Sequence, residues 1–189
     1  AKSLQHIGGQ SMLTRIYETV SSITNETSFV VGYEKEAIIK ETKKFVGEIN
    51  ICVQEKPIGT ADAVKAALCN ISPDSQTLIL YGDVPLIKLQ TLKKMLSANE
   101  DSLTILTTEL TDPTGYGRVK KDDAGLALSI VEEKDATSEE KKIKEIFTGV
   151  LCCKKTLLEE AISQVDNHNA AGEYYLTDIV SIISSKGYK

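Results

Sequence analysis

Residues 77–81, Thr-Leu-Ile-Leu-Tyr, form an unbroken apolar run that stops at Gly82-Asp83. A strand with one wet face alternates apolar and polar residues. A continuous run therefore implies burial on both faces, as in a parallel sheet covered by helices. The flanking sequence agrees. Met12, Leu13, Ile16, Tyr17 and Val20 form an amphipathic helical stripe, and residues 28–33 read as a β-branched and aromatic strand. Ile38, Thr42, Phe45 and Val46 mark a second helix, residues 49–53 a second strand, and Ala63, Val64, Ala67 and Leu68 a third helix. That third helix begins at Gly59-Thr60, with Thr60 as N-cap and Asp62 suited to the helix dipole. Leu89, Leu92 and Leu96 then give a helix, and residues 102–108 a strand. Alternating strands and helices predict a Rossmann-like, doubly wound α/β domain.

After Glu109 the pattern changes. Asp112-Pro113-Thr114-Gly115 is turn chemistry, and the short pieces at 117–121 and 126–132 predict a small β excursion. Residues 138–145 are rich in Lys and Glu and read as a solvated segment, 146–153 as a strand, and two apolar stripes close the chain as helices. No repeat or low-complexity linker interrupts residues 1–189, so one domain is expected. A doubly wound sheet ordinarily starts with a central strand whose following turn carries the phosphate-binding loop. Here a loop and helix come first, and the expectation is a sheet whose first strand and glycine-rich loop are missing. Its neighbours would then carry unpaired N–H and C=O groups.

Composition removes several functions. The 27 acidic residues exceed 22 basic ones, and only Arg15 and Arg118 are arginines. This is not the electrostatic footprint of a nucleic-acid binder. The apolar runs are too short to span a bilayer, and no signal peptide is recognisable, so a cytoplasmic protein without membrane partners is expected. Cys52, Cys69, Cys152 and Cys153 lack metal-ligand spacing and read as buried thiols, with the last two on opposite faces of a strand.

Chemistry concentrates in four segments. Tyr81-Gly82-Asp83 ends a strand, where α/β sheets bind ligands; glycine permits close approach, and aspartate is a hard oxygen ligand for Mg²⁺ or, equally, a cap for the next turn. The loop at 54–60, QEKPIGT, feeds a helix N-terminus, although ordinary capping also explains it. DPTGYGR at 112–118 is either a plain turn or a ligand-covering loop. GEYYLTD at 172–178 opens the last helix and could simply cap it.

Taken together, QEKPIGTADAV, LYGDVPLI, DPTGYGR, IVEEKDAT, EIFTGVL and GEYYLTDI occur in the order seen in bacterial N-acetylglucosamine-1-phosphate uridylyltransferases. The chain resembles the N-terminal half of that bifunctional family from Lys2 to about Lys186. The resemblance implies uridylyl transfer from UTP to N-acetylglucosamine 1-phosphate, releasing pyrophosphate and giving UDP-N-acetylglucosamine for peptidoglycan and the cell wall. It implies Mg²⁺ on Asp83, phosphate neutralisation by Lys2, and a nucleotide side lined by Tyr81 and Gly82. It further implies uracil recognition by Gln54, Gly59 and Thr60, and sugar contacts from Gly117, Glu132, Tyr175 and Thr177.

Three departures qualify that picture. The family's glycine-rich loop lies just before the Lys2 position, and its second metal ligand, an asparagine, lies beyond Lys189. In addition, Phe147 stands where the family places a ligand-contacting asparagine. The chain as it stands is expected to be inactive or impaired. The left-handed β-helix of the bifunctional proteins is absent from these residues, so neither acetyl transfer nor a β-helix-driven trimer is expected. The alternatives are a non-catalytic relative acting as a binding or structural protein, or a nucleotidyltransferase for another sugar 1-phosphate.

Overall fold

A computed structural model describes residues 1–45, 48–98 and 101–188, with Glu48 described by its backbone alone. Val46, assigned above to a helix stripe, lies outside the described residues. The chain begins with a short hairpin of β1 (His6–Ile7) and β2 (Gln10–Ser11). Gly8 and Gly9 turn it with φ of 59° and 86°, a backbone that side chains resist. Ser11 then caps α1 (Met12–Val20), its hydroxyl accepting from the Thr14 amide at 3.1 Å. All five residues of the predicted α1 stripe are buried.

Next come β3 (Glu26–Val31), α2 (Lys35–Thr42), β4 (Glu48–Val53), α3 (Thr60–Ala67), β5 (Gln76–Leu80) and α4 (Leu89–Leu96). The second half holds β6 (Thr104–Glu109), the hairpin β7 (Arg118–Lys121) and β8 (Ala127–Val131), then β9 (Glu145–Lys154), α5 (Lys155–Ile162) and α6 (Asp178–Ser185). The α/β expectation holds, as does the β excursion. The sheet is nevertheless not the continuous parallel one that 77–81 suggested. Parallel pairing joins β3 to β4, whereas β5 pairs antiparallel with β9. β6 runs antiparallel along the other edge of β9, and β7 joins β9 through Arg118 and Ile146. The apolar run of β5 contributes partly buried side chains to both layers, Ile79 to one and Leu78 and Leu80 to the other, and strand direction leaves no mark in such a run.

Two apolar layers flank β9. Val150 and Cys152 pack with Ile16, Tyr17 and Val20 of α1 and with Leu92 and Met95 of α4. Leu151 and Cys153 pack with Leu157, Leu158 and Ala161 of α5 and with Ile179 and Ile183 of α6. The two adjacent thiols thus face opposite sides as expected, and burial pushes them up to about 11 for Cys152 and about 12 for Cys153. Cys52 is buried too, but Cys69 is exposed, which corrects its assignment to the core. It sits in the 3₁₀ turn Leu68–Asn70 after α3, where the helical periodicity that would bury it has ended.

Leu151 is fully buried, opposite Ile79 on one side and Ile105 on the other. Leu151→Ala is expected to lower unfolding stability by about 2–5 kcal/mol. Leu86→Ala, at a position 71% exposed, should change it by less than about 0.5 kcal/mol. Urea titrations of the two variants check this, and similar midpoints would contradict the placement of the core.

Candidate functional site

The site is built around the end of β5. The Tyr81 amide extends the ladder onto the Gly149 carbonyl at 3.1 Å. Gly149 has φ of 82°, and a Cβ there would lie 2.6 Å from the Tyr81 ring, so this β9 position must be glycine for the ring to sit as it does. The Tyr81 ring meets Phe147 edge-on, with centroids 6.1 Å apart. Burial pushes its hydroxyl up to about 12, aided by the Glu132 and Asp83 charges and opposed by a hydrogen bond with Thr60. Beyond Gly82, exposed Asp83 accepts from Lys2 Nζ at 2.7 Å, which raises the lysine above its ordinary value. Lys2 and Asp83 are therefore together at the end of β5.

One flank is a clamp between two loops distant in sequence. The Tyr174 amide donates to the Ile58 carbonyl, and the Ala61 amide donates to the Tyr174 carbonyl, both at 2.9 Å. Gly59 lies between these bonds at φ of 137°, where a Cβ would stand 2.2 Å from the Tyr174 oxygen. The Leu176 amide donates to Thr60 Oγ1 at 2.9 Å. Thr60 is thus not the cap of α3. Gly59 occupies that position, and the Thr60 hydroxyl links Leu176 to Tyr81. The Gln54 amide nitrogen donates to the Gly59 carbonyl at 3.0 Å and to Asp62 Oδ2 at 2.8 Å, which engages both of its hydrogens.

The other flank carries Gly117, Glu132 and Thr177. A Cβ at Gly117 would lie 2.7 Å from the Ile130 side chain and 3.5 Å from Glu132 Oε1, and the Gly117 carbonyl accepts from the Phe147 amide at 3.0 Å. Thr177 is buried and donates to Glu132 Oε1 at 2.9 Å. It occupies the N-cap position of α6, but its side chain makes no capping hydrogen bond. Burial raises Glu132 above the usual carboxylate range despite the Thr177 hydrogen bond, and the Asp135 and Glu173 charges add to the rise. Tyr175, beside Asp135, is pushed up to about 12 by burial and by the same acidic surroundings. Asp178 is pushed up to about 6, again by burial first and then by Asp166, Glu132 and Asp135.

Arg118 is the largest feature that the sequence did not single out. Its guanidinium is buried, donates to the Tyr116 carbonyl, and reaches Glu133 Oε2 at 2.6 Å. The Gly115 amide shares that carboxylate oxygen at 3.2 Å. DPTGYGR is a turn at its start, where Thr114 donates to Asp112, and a loop pinned to the end of β8 thereafter. An arginine in a chain otherwise basic through lysine was the available signal. Asp178 and the main chain of Tyr174 gave none, because their roles depend on neighbours distant in sequence. Phe147 points into the core instead of standing free at the site. Among the described residues no three His, Cys, Asp or Glu side chains converge to hold a metal.

The whole chain, residues 1–189, matches the nucleotidyl transferase family. It is 41% identical over 189 residues to the bifunctional protein GlmU of Neisseria meningitidis serogroup C, covering 100% of this chain and 41% of that protein. It is 38% identical over 186 residues to GlmU of Dechloromonas aromatica, covering 98% and 41%. The chain thus spans about two-fifths of these relatives. Among solved structures, a UDP-glucose pyrophosphorylase complexed with UDP-glucose superposes with a TM-score of 0.77 at 12% identity, over 100% of this chain and 80% of that one. HddC from Yersinia pseudotuberculosis gives 0.63 at 21% identity, over 84% and 69%. No helix among the described residues is long and apolar enough to cross a membrane. By sequence across its length and by fold, the chain belongs to the nucleotidyl transferase family and corresponds to the N-terminal region of the GlmU proteins.

Proposed function

We propose that this chain is the part of a cytoplasmic enzyme that joins UTP to N-acetylglucosamine 1-phosphate, giving UDP-N-acetylglucosamine, a cell-wall precursor. The observation that carries the reading is the junction at Tyr81. Through Thr60 it joins the Gly59 loop, with Gln54 beside it, while Lys2 and Asp83 lie at its end and Glu132 and Thr177 on its far side. In this reading the sugar phosphate attacks the α-phosphate in one displacement, so the protein contributes alignment and charge neutralisation. Lys2 faces the phosphates, and Gln54, Gly59 and Thr60 hold the uracil. Reading the base with the Gln54 amide requires one of its two internal bonds to be exchanged. Gly117 leaves room for the sugar, Glu132 accepts from its hydroxyls, and Tyr175 and Thr177 close the acetamido side.

Asp83 is a hard oxygen donor at an exposed position and fits Mg²⁺ as an anchor, not as a cage. One carboxylate suffices for this ion only where phosphates and water complete the octahedron. There it would supply positive charge against phosphate groups. A second reading is a binding module that holds the sugar nucleotide without turning it over. It is favoured by the scarcity of cations: Lys2 is the cation paired with Asp83, and Arg118 is taken by Glu133.

Thermal-shift titration of the chain separates these ideas from their failure. UDP-N-acetylglucosamine with Mg²⁺ should raise Tm more than UDP-glucose with Mg²⁺, and Mg²⁺ alone should leave it unchanged. Asp83→Asn should abolish the increment that Mg²⁺ adds. A shift with Mg²⁺ alone, or equal shifts with both sugar nucleotides, would count against the site as described. Pyrophosphate release on mixing UTP with the sugar phosphate decides between enzyme and binding module.

Glu132 gives a pH test. Its carboxyl group is raised, so acidification protonates it earlier than an ordinary glutamate and removes the acceptor for sugar hydroxyls. Affinity for UDP-N-acetylglucosamine should fall between pH 7.5 and 5. Glu132→Gln should weaken binding by about 10-fold or more at pH 7.5, the expected loss of a charge-assisted hydrogen bond. It should also flatten the pH dependence. Asp178→Asn serves as the control for the second raised carboxyl group, and calorimetry at several pH values reads all three. Unchanged affinity in Glu132→Gln would remove Glu132 from sugar recognition.

A further inference from the structure

The turn after β8 carries Glu132 and is closed by two backbone bonds, from the Asp135 and Ala136 amides to the Glu132 carbonyl, both at 3.0 Å. From that turn Asp135 reaches the loop before α6, 35 residues away in sequence. Its carboxylate accepts from the Ala170 amide at 2.7 Å and from the Tyr175 hydroxyl. The loop has a frame of its own. Asn169 Oδ1 accepts from the Ala171 and Glu173 amides, both at 3.2 Å, and Asn169 Nδ2 donates to the Glu173 carbonyl at 2.6 Å. Residues 169–173 therefore form one internally bonded piece. Bonds to distant segments flank it: Asp135 on Ala170, and the clamp of Tyr174 on Ile58 and Ala61.

The same carboxylate stands among the raised groups of the site. Burial is the first reason that Glu132, Tyr175 and Asp178 are raised, and the Asp135 charge adds to all three. Glu173 also faces Glu132 and Tyr175, Asp166 faces Asp178, and Glu132 itself faces Tyr81, Tyr175 and Asp178. The Thr177 hydroxyl opposes the rise at Glu132.

We propose that Asp135 is a positioning residue for the sugar: it ties Tyr175 and the 169–173 loop to the turn that carries Glu132, and places a negative charge beside that carboxylate. The proposal rests on the reading in which Glu132 and Tyr175 meet the sugar. Two substitutions separate the tether from the charge. Asparagine keeps an oxygen for the Ala170 amide and offers an NH₂ group to the Tyr175 oxygen, so the tether stays and the charge goes. Alanine removes both. Asp135 is exposed, so neither change opens the core.

Calorimetry with UDP-N-acetylglucosamine and with UDP, each with Mg²⁺, splits sugar from nucleotide. Asp135→Ala should weaken the sugar nucleotide by about 5–10-fold and UDP by less than about 2-fold, the expected loss of hydrogen bonds on the sugar side alone. Asp135→Asn should weaken the sugar nucleotide less. Its acid loss of affinity should come at a lower pH than in the unaltered chain, because removing a like charge leaves Glu132 ionised further into acid. A tether alone would not move that midpoint. Adding Asp135→Asn to Glu132→Gln should leave the profile flat. Without ligand, exchange of the Ala170 amide should quicken by roughly 10-fold or more in Asp135→Ala and stay near its original rate in Asp135→Asn.

An Asp135→Ala chain that keeps its full preference for the sugar nucleotide, or loses UDP equally, would overturn the proposal. So would an unmoved midpoint in Asp135→Asn, or a shift that survives in the double variant and so belongs to Asp178. An unaltered chain that binds UDP-N-acetylglucosamine no more tightly than UDP would instead remove the proposed function. Unchanged Ala170 exchange in Asp135→Ala, read without ligand, would remove the tether alone.

Discussion

β9 is the strand on which the rest depends, because it alone among the described strands carries partners along both edges and core on both faces. Ile146 pairs with β7 and β6, and Leu151 and Cys152 pair with β5 and β6. Alternation then sends Val150 and Cys152 to α1 and α4, and Leu151 and Cys153 to α5 and α6. A shift of one residue would exchange these two sets, and would also move Gly149 from beneath the Tyr81 ring. Core register and site geometry are consequently one constraint. The glycine that allows Tyr81 to lie over β9 is in the strand that fixes both layers.

The site is completed by a second constraint, the union of the loop at 54–60 with the segment at 174–177. Two main-chain bonds, Tyr174 to Ile58 and Ala61 to Tyr174, and one from the Leu176 amide to the Thr60 hydroxyl make it. This union holds Thr177 at the start of α6, within reach of Glu132. On the opposite side buried Arg118, paired with the partly exposed Glu133, holds the 115–118 loop to the end of β8. Removing Glu133 would leave the Arg118 guanidinium buried without its counter-charge. The polar groups of the site are thus fixed partly by contacts between backbone segments and partly by their own side chains, with Gln54 on Gly59 and Asp62, Thr60 on Leu176, and Thr177 on Glu132.

Periodicity made the helices legible: α1 buries the same five residues that its stripe marked. Alternation also placed Cys152 and Cys153 on opposite faces before any partner was known. It could not give the direction of the neighbour of β5, because an apolar run records burial and carries no trace of strand polarity. Thr60 shows the same limit at the scale of one side chain. Threonine beside glycine at a helix start satisfies every local rule for a cap, yet its hydroxyl meets Leu176, more than a hundred residues away in sequence. Cys69 was misplaced by carrying a helical period one turn too far. Of the residues grouped by resemblance, Thr60, Glu132 and Asp83 act on the Tyr81 hydroxyl, and the Gln54 bonds to Gly59 and Asp62 have no local signal in the sequence.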